Sequence, residues 1–139
     1  MRIAWGGMDA PLFRMACPPS AFAGAPADWP AQLLQEGVIA LLTDDGGLPA
    51  IDAVAHALGL LTVSVLRREA TAEAQEATVM GFAGSMPLLW VAASFGPAAR
   101  EWAVRRGPMT LLVEAEGALP EDERRRIDRF VALLGRQAE

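Results

Sequence analysis

The chain has 139 residues, of which 53% are hydrophobic, and it carries a net charge of −5. This length fits one domain with a single core, and the acidic balance argues against a general attraction to nucleic acid or to anionic lipid. All 12 basic residues other than the single histidine are arginines, so an active site that depends on a lysine ammonium group is excluded.

The cysteine content and the hydropathy pattern bear on location. Cys17 is the only cysteine, which excludes an internal disulfide and a Cys-rich zinc site and fits a reducing compartment. No apolar run approaches the roughly 18 residues that a membrane span needs, and the first residues lack the basic and apolar regions of a signal peptide. We therefore expect a cytoplasmic protein without a membrane segment.

Proline and glycine residues interrupt the regular patterns of the first 27 residues. Arg2 to Trp5 is a candidate strand that ends at a glycine pair. Four prolines follow between residues 8 and 27, and because they remove backbone donors they disfavour regular elements. We expect a Pro-rich surface arm at about residues 8–27, with room for one short strand at Leu12 to Ala16.

The next segment begins with a helix and a strand. Asp28 is in position to cap the helix, Pro30 suits its first turn, and Gly37 is in position to end it. Val38 to Leu42 is a continuous apolar run of strand length, which is typical of a strand covered on both faces.

Residues 48–58 have two interpretations. The apolar residues between Pro49 and Gly59 keep helical spacing, and proline is acceptable near a helix start. The same residues could form a hairpin arm from Ala50 to Ala55. The spacing favours the helix.

The second half of the chain alternates strands with helices. We expect strands at Leu60 to Leu66, Leu88 to Ala93 and Met109 to Val113, and helices that begin at Thr71, Pro97 and Pro120. The last helix presents one apolar face, made by Ile127, Phe130, Val131 and Leu134. The alternation predicts a single α/β domain over residues 1–139, with a central, mostly parallel or mixed sheet of about five strands and helices on both faces.

One late segment carries a resemblance. The strand Trp90 to Ala93 and the following Ser94-Phe95-Gly96-Pro97-Ala98-Ala99-Arg100-Glu101-Trp102-Ala103 resemble the late strand, turn and helix of the Mrr-like restriction endonucleases. The resemblance covers about residues 28–116. It implies a restriction endonuclease-like fold, with a metal-binding aspartate and a strand that carries a glutamate or glutamine and a lysine.

The residues at those positions depart from the family's pattern. Asp52 matches the aspartate, but Ser64 or Val65 stands at the place of the glutamate or glutamine, and Leu66 or Arg67 at that of the lysine. Magnesium needs a second carboxylate beside the first. If the chain is active, the candidate residues are Asp52, Asp45, Arg67 and Glu69. Asp45 also belongs to an Asp-Asp-Gly-Gly stretch, which is typical of a turn.

A second, weaker resemblance involves the same turn. Ser94 and Arg100 are spaced like the Cys-x5-Arg phosphate loop of the dual-specificity phosphatases, although a serine stands where that family needs a thiolate of lowered pKa. A passive anion site is the alternative, with Ser94, Gly96 and Arg100 around backbone N–H groups at a helix start.

The remaining polar residues suggest little chemistry. His56 is the only histidine, so a His pair for zinc is excluded. Four arginines of the last helix alternate with acids that can pair with them at helical spacing, which predicts a solvated face rather than a phosphate-binding patch.

Three functions are compatible with the sequence. The first is a non-catalytic assembly or protein-interaction module, a pseudoenzyme related to a nuclease fold. The second is a metal-dependent nuclease or phosphatase-like enzyme with atypical residues, and the third is a small-anion-binding regulator. We expect no cofactor, no bound metal and no nucleic acid partner. Four tryptophans in so short a chain suggest a homodimer or a protein partner, because tryptophan is enriched at interfaces.

Overall fold

A computed structural model describes residues 11–43, 47–60 and 63–138 of the chain. The candidate strand at Arg2 to Trp5 and the candidate site residue Asp45 lie outside the described residues.

The described strands form one sheet. The strands are β1 (Phe13–Cys17), β2 (Gly37–Leu41), β3 (Ser64–Val65), β4 (Leu88–Ala92) and β5 (Thr110–Glu114). Their order across the sheet is β3-β2-β1-β4-β5, and each neighbouring pair is parallel. This confirms the expected α/β class and the count of about five strands. The strand expected at Leu60 to Leu66 includes Leu61 and Thr62, which lie outside the described residues; in its described part, Ser64 and Val65 pair with β2.

Helices connect the strands. They are α1 (Trp29–Glu36), α2 (Gly47–Ala57), α3 (Ala72–Ala83), α4 (Pro97–Arg106) and α5 (Glu121–Ala138), with 3-10 turns at Pro19–Phe22 and Gly107–Met109. Residues 48–57 are therefore helical, and the hairpin arm is wrong. Helix α5 continues past Gly135, because a glycine inside a helix weakens the helix without ending it. None of the described helices combines the length and the apolar character that crossing a bilayer requires.

The helices cover both faces of the sheet. On one face, α1, α2 and α5 pack against alternate strand residues such as Met15, Leu41 and Val91. On the other, α3 and α4 pack against Ala16, Leu88 and Trp90, the residues of opposite orientation. Because parallel crossovers are right-handed, the strand order places α3 and α4 across the sheet from α1 and α2. Two apolar layers thus enclose the sheet, as the sequence predicts.

The Pro-rich surface arm needs correction. Its described part contains β1, which pairs with β2 on one side and β4 on the other and lies at the centre of the sheet. Phe13, Met15 and Cys17 have no exposed surface. The prolines after Cys17 end this strand rather than keep the segment outside the core.

The structure confirms the predicted helix cap at Thr71 but not the one at Asp28. Thr71 Oγ1 accepts a hydrogen bond of 3.1 Å from the amide of Ala74, as a capping residue does. Asp28 precedes α1 but has helical backbone angles, so its carboxylate does not cap. It accepts a hydrogen bond from the side chain of Gln32 instead.

The described tryptophans serve internal packing. Trp29 is 6% exposed and donates from Nε1 to Asp128 Oδ1 at 2.9 Å, which joins α1 to α5. Trp90 is buried edge-to-face against Phe95, with ring centroids 4.9 Å apart, and also contacts Trp102. Their number is therefore no argument for an interface, and the expected homodimer stays a prediction.

Two arginines close the amino edge of the sheet, where parallel strands begin. Arg14 donates to the carbonyl of Phe82 at 2.6 Å, near the C-terminus of α3, where a cation is stabilised by the helix dipole. Arg106 donates to the carbonyls of Gly84 and Met86 and to Thr110 Oγ1, and its guanidinium stacks on Trp102 at 4.5 Å. The amino edge is thus filled with internal contacts.

Candidate functional site

The carboxyl edge of the sheet contains the point where the strand order reverses. From β1 the chain moves outward to β2 and β3, and it then returns to place β4 on the other side of β1. The connections after β1 and after β4 therefore leave the sheet in opposite directions. In open parallel sheets, the crevice at such a reversal is the usual place for a ligand.

A cavity of about 860 Å³ lies at this edge. Its size falls within the range of roughly 300–1,000 Å³ that small-molecule sites occupy. The walls come from the segments after β1, β2, β4 and β5, from α2 and from the first turns of α3. The described lining residues are Pro18, Pro19, Ser20, Phe22, Ala23, Leu42, Thr43, Ala50, Ala53, Val54, Ala57, Gln75, Val91, Ala92, Ala93, Ala115, Glu116 and Gly117.

Small side chains keep this cavity open. Seven of the described lining residues are alanines, and three of these lie on α2. Interiors are otherwise packed densely, but a methyl group is too short to reach across the space between α2 and the ends of the strands. The alanines at these positions of the sequence therefore account for the cavity.

The backbone around the cavity is held to the sheet. The amide of Leu42 donates to the carbonyl of Cys17 at 2.8 Å, and the amide of Ala115 donates to that of Ala92 at 2.9 Å. These bonds extend the β1–β2 and β4–β5 pairings by one residue. The walls made by Leu42 and Ala115 are thus continuations of the sheet rather than free loops.

Four polar side chains face the cavity among the described residues. They are the hydroxyls of Ser20 and Thr43, the amide of Gln75 and the carboxylate of Glu116. The Gln75 amide is already engaged, since Oε1 accepts from the backbone N–H of Glu69 and Nε2 donates to the carbonyl of Arg67, both at 3.0 Å. Glu116 is exposed, and no described residue pairs with it.

Gln75 thus binds the backbone of the segment that follows β3. The side chain of Glu69, in this segment, makes further contacts. Its carboxylate accepts from Thr78 Oγ1 at 2.5 Å and from Arg67 Nε at 2.7 Å. The Thr78 hydroxyl and then the Arg67 guanidinium lower the pKa of Glu69 from its ordinary value. Helix α3 therefore anchors the segment that follows β3, beside the cavity.

The expected anion site at the start of α4 holds the protein's own carboxylates. The amide of Gly96 donates to Glu76 Oε2 at 2.7 Å. Arg100 donates to the carbonyl of Phe95 at 3.1 Å and pairs with Glu114. Ser94 is exposed nearby. An external anion would have to displace Glu76 and compete with Glu114, so the site stays a prediction and these contacts oppose it.

The residues named for a nuclease are not brought together as a metal site. Asp52 is exposed on α2, while Arg67 is paired with Glu69 beyond β3. No hydrogen bond or ion pair of the described chain joins Asp52 to either of them. Within the same residues, no three acids, histidines or cysteines cluster so that they could hold a metal ion.

Among the described residues, no side-chain hydrogen bond or ion pair links Cys17 or His56 to a catalytic partner. Cys17 ends β1 with no exposed surface, and burial raises the pKa of its thiol far above the ordinary range. It is therefore protonated at neutral pH and is not a nucleophile. His56 is exposed on α2.

The arginines of α5 pair with acids of the same helix. Arg125 pairs with Glu121 and Arg126 with Glu123, as expected for a solvated face.

The sequence contained a signal for the cavity that residue-by-residue reasoning missed. Small residues or prolines directly follow three strands, in Pro18-Pro19-Ser20, Ala93-Ser94 and Ala115-Glu116-Gly117. In a parallel sheet, strand ends of this kind meet at one edge and leave it poorly filled. Which ends become neighbours depends on the strand order.

Comparison with protein-family models, with curated proteins and with solved structures finds no match for this chain. The resemblances to Mrr-like nucleases and to dual-specificity phosphatases therefore stay predictions. The geometry of the carboxyl edge has to be interpreted from its own residues.

Proposed function

We propose that this domain is a non-catalytic binding module that takes up a small, largely apolar molecule at the carboxyl edge of its sheet. The observation that carries the proposal is the alanine-lined cavity of about 860 Å³ at the reversal of the strand order. Sites of this kind combine an apolar lining with a few polar groups that orient the ligand. The hydroxyls of Ser20 and Thr43 and the carboxylate of Glu116 supply such groups here.

The lining favours binding over chemistry. Its described residues include no histidine, cysteine or arginine, so a nucleophile with an adjacent base is missing from that part of the wall. Glu116 is the only acid among the described lining residues, whereas acid–base catalysis by carboxylates commonly uses a pair with separated pKa values. A ligand is held there mainly by contact with apolar surface.

The expected affinity follows from the buried area. A bicyclic or tricyclic aromatic molecule that buries about 200–300 Å² of apolar surface gains about 5–7 kcal/mol at about 25 cal/mol per Å². Part of this gain is lost to immobilisation of the ligand. We expect a Kd for a generic apolar probe between about 10 μM and 1 mM.

Filling the cavity should abolish this binding. The neutral probe N-phenyl-1-naphthylamine, whose fluorescence rises in apolar surroundings, can be titrated with the protein. We expect saturable binding to the unaltered chain and at least about tenfold weaker binding to Ala50→Phe and to Ala53→Phe. Both substitutions place a ring on the α2 wall. Two variants are used so that the test still gives a result if one of them does not fold.

The matched control is Ala77→Phe, on an exposed position of α3 that does not line the cavity. It adds the same ring and should leave probe affinity unchanged. Melting curves confirm that each variant is folded. Undiminished probe binding by both folded α2 variants would overturn the proposal, as would the lack of saturable binding to the unaltered chain.

An assembly or protein-interaction role is the second candidate. Large apolar side chains are exposed on three helices, with Leu48 73%, Val104 79% and Leu133 50% accessible. Single exposed apolar residues are common on soluble proteins, so this observation supports a partner less strongly than the cavity supports a ligand. A degenerate relationship to the nuclease fold is compatible with either role.

A further inference from the structure

The charge around the cavity carries a further inference, which rests on the proposed ligand-binding function. Glu116 is the one charged side chain among the described lining residues, and no described group neutralises it. We propose that the ligand is an organic cation, with an apolar body against the alanine wall and a protonated amine or quaternary nitrogen beside Glu116.

The backbone next to Glu116 is held to the sheet on one side. The amide of Ala115 is bonded to the carbonyl of Ala92, so the chain directly before Glu116 is attached to the end of β4. Gly117, directly after it, has a positive φ of 88°, which turns the chain away from the strand direction. Glu116, which lines the cavity, therefore follows directly after a backbone position that is bonded to the sheet.

No competing positive charge lies close in sequence to the cavity wall. None of the 12 arginines is within two positions of a lining residue, whereas the acids Asp52 and Glu73 are, and neither of them pairs with a described residue. Arg67, after β3, and Arg100, after β4, are each in an ion pair. Arg67 pairs with Glu69 and Arg100 with Glu114. The charge near the cavity is thus negative, which favours a cation and disfavours a phosphate or carboxylate ligand.

Three ligands of nearly equal size separate charge from apolar contact. They are 1-naphthylmethylamine, which is a cation at neutral pH, 1-naphthylmethanol, which is neutral, and 1-naphthoate, which is an anion. Isothermal titration should give a Kd for the amine about twofold to fivefold lower than for the alcohol, since exposed ion pairs are worth this much. The acid should bind more weakly than the alcohol, and 0.5 M NaCl should reduce the preference.

Glu116→Gln tests the assignment. It should bring the affinities of amine and alcohol together, mainly by weakening the binding of the amine. Glu101→Gln is the matched control, because Glu101 is exposed on α4, is paired with Arg105 at 3.1 Å and lies outside the cavity. It makes the same change in net charge and should keep the preference for the amine.

The outcomes distinguish this inference from the function on which it rests. If the alcohol binds but the amine binds no better, or if the preference survives Glu116→Gln, the cation inference is overturned and the apolar site stands. If none of the three ligands binds the unaltered protein, the proposed function falls and the cation inference falls with it.

Discussion

Replacing Ile127 with alanine should lower the free energy of unfolding by about 2–5 kcal/mol. Ile127 has no exposed surface and belongs to the apolar cluster that joins α5 to the sheet. The substitution removes buried methyl and methylene groups and leaves a cavity that the surrounding strands cannot fully close. Urea denaturation, followed by tryptophan fluorescence, measures the change.

Leu133→Ala is the control for this prediction. It removes a side chain of the same composition from the same helix, but Leu133 is 50% exposed. Its cost should stay below about 1 kcal/mol, because about half of the side chain stays in water and its removal leaves no closed cavity. Equal losses for Ile127→Ala and Leu133→Ala would show that α5 is not packed on the sheet in solution.

Replacing Gly37 with alanine should cost about 1–3 kcal/mol, although only one methyl group is added. A Cβ atom at this position would lie 2.6 Å from the Cε2 and Cζ atoms of the Phe13 ring. Phe13 is fully buried on the neighbouring strand β1, directly opposite Gly37 in register. The ring would have to move within a packed core. Chemical denaturation of both proteins measures the loss.

Gly81→Ala makes the same chemical change where space is open. Gly81 lies inside α3, and apart from its two chain neighbours and the backbone of its own helix, no described atom lies within 4 Å of a Cβ added there. That substitution should stabilise the protein by about 0.5–1 kcal/mol, since glycine is the poorer helix former.

A double-mutant cycle tests whether the clash with Phe13 causes the destabilisation by Gly37→Ala. Phe13→Leu in the Gly37→Ala background should recover part of the loss, so that the two substitutions are less costly together than their sum. A destabilisation of Gly37→Ala that is unaffected by Phe13→Leu would assign the cost to the strand backbone instead.

Much of the architecture could be predicted from local patterns. The alternation of apolar runs with capped helical segments gave the α/β class, and Thr71 and Gly107 lie at helix ends as their residue types indicate. These signals work because each depends on residues that are neighbours in sequence. The short strand expected at Leu12 to Ala16 is present as β1, but the prolines around it wrongly indicated a surface arm instead of a central strand.

The site could not be predicted in the same way. The cavity depends on which strand ends become neighbours, and a parallel sheet of five strands permits several orders with the same local patterns. Likewise, Gly96 has the sequence of an anion-binding helix start, but Glu76 occupies its amide from another helix, 20 residues away. Contacts of this kind depend on the tertiary structure.

The most direct test of the account is to locate a bound ligand by the methyl resonances of alanine. Protein labelled with ¹³C at alanine methyl groups can be titrated with 1-naphthylmethylamine and followed by NMR. The account predicts shifts for Ala50, Ala53, Ala92 and Ala115, which line the cavity. The methyls of Ala83 in α3 and Ala99 in α4, which are buried against the other face of the sheet, should stay unchanged. Shifts confined to residues outside the cavity, or no shifts at saturating amine, would contradict a ligand site at the carboxyl edge.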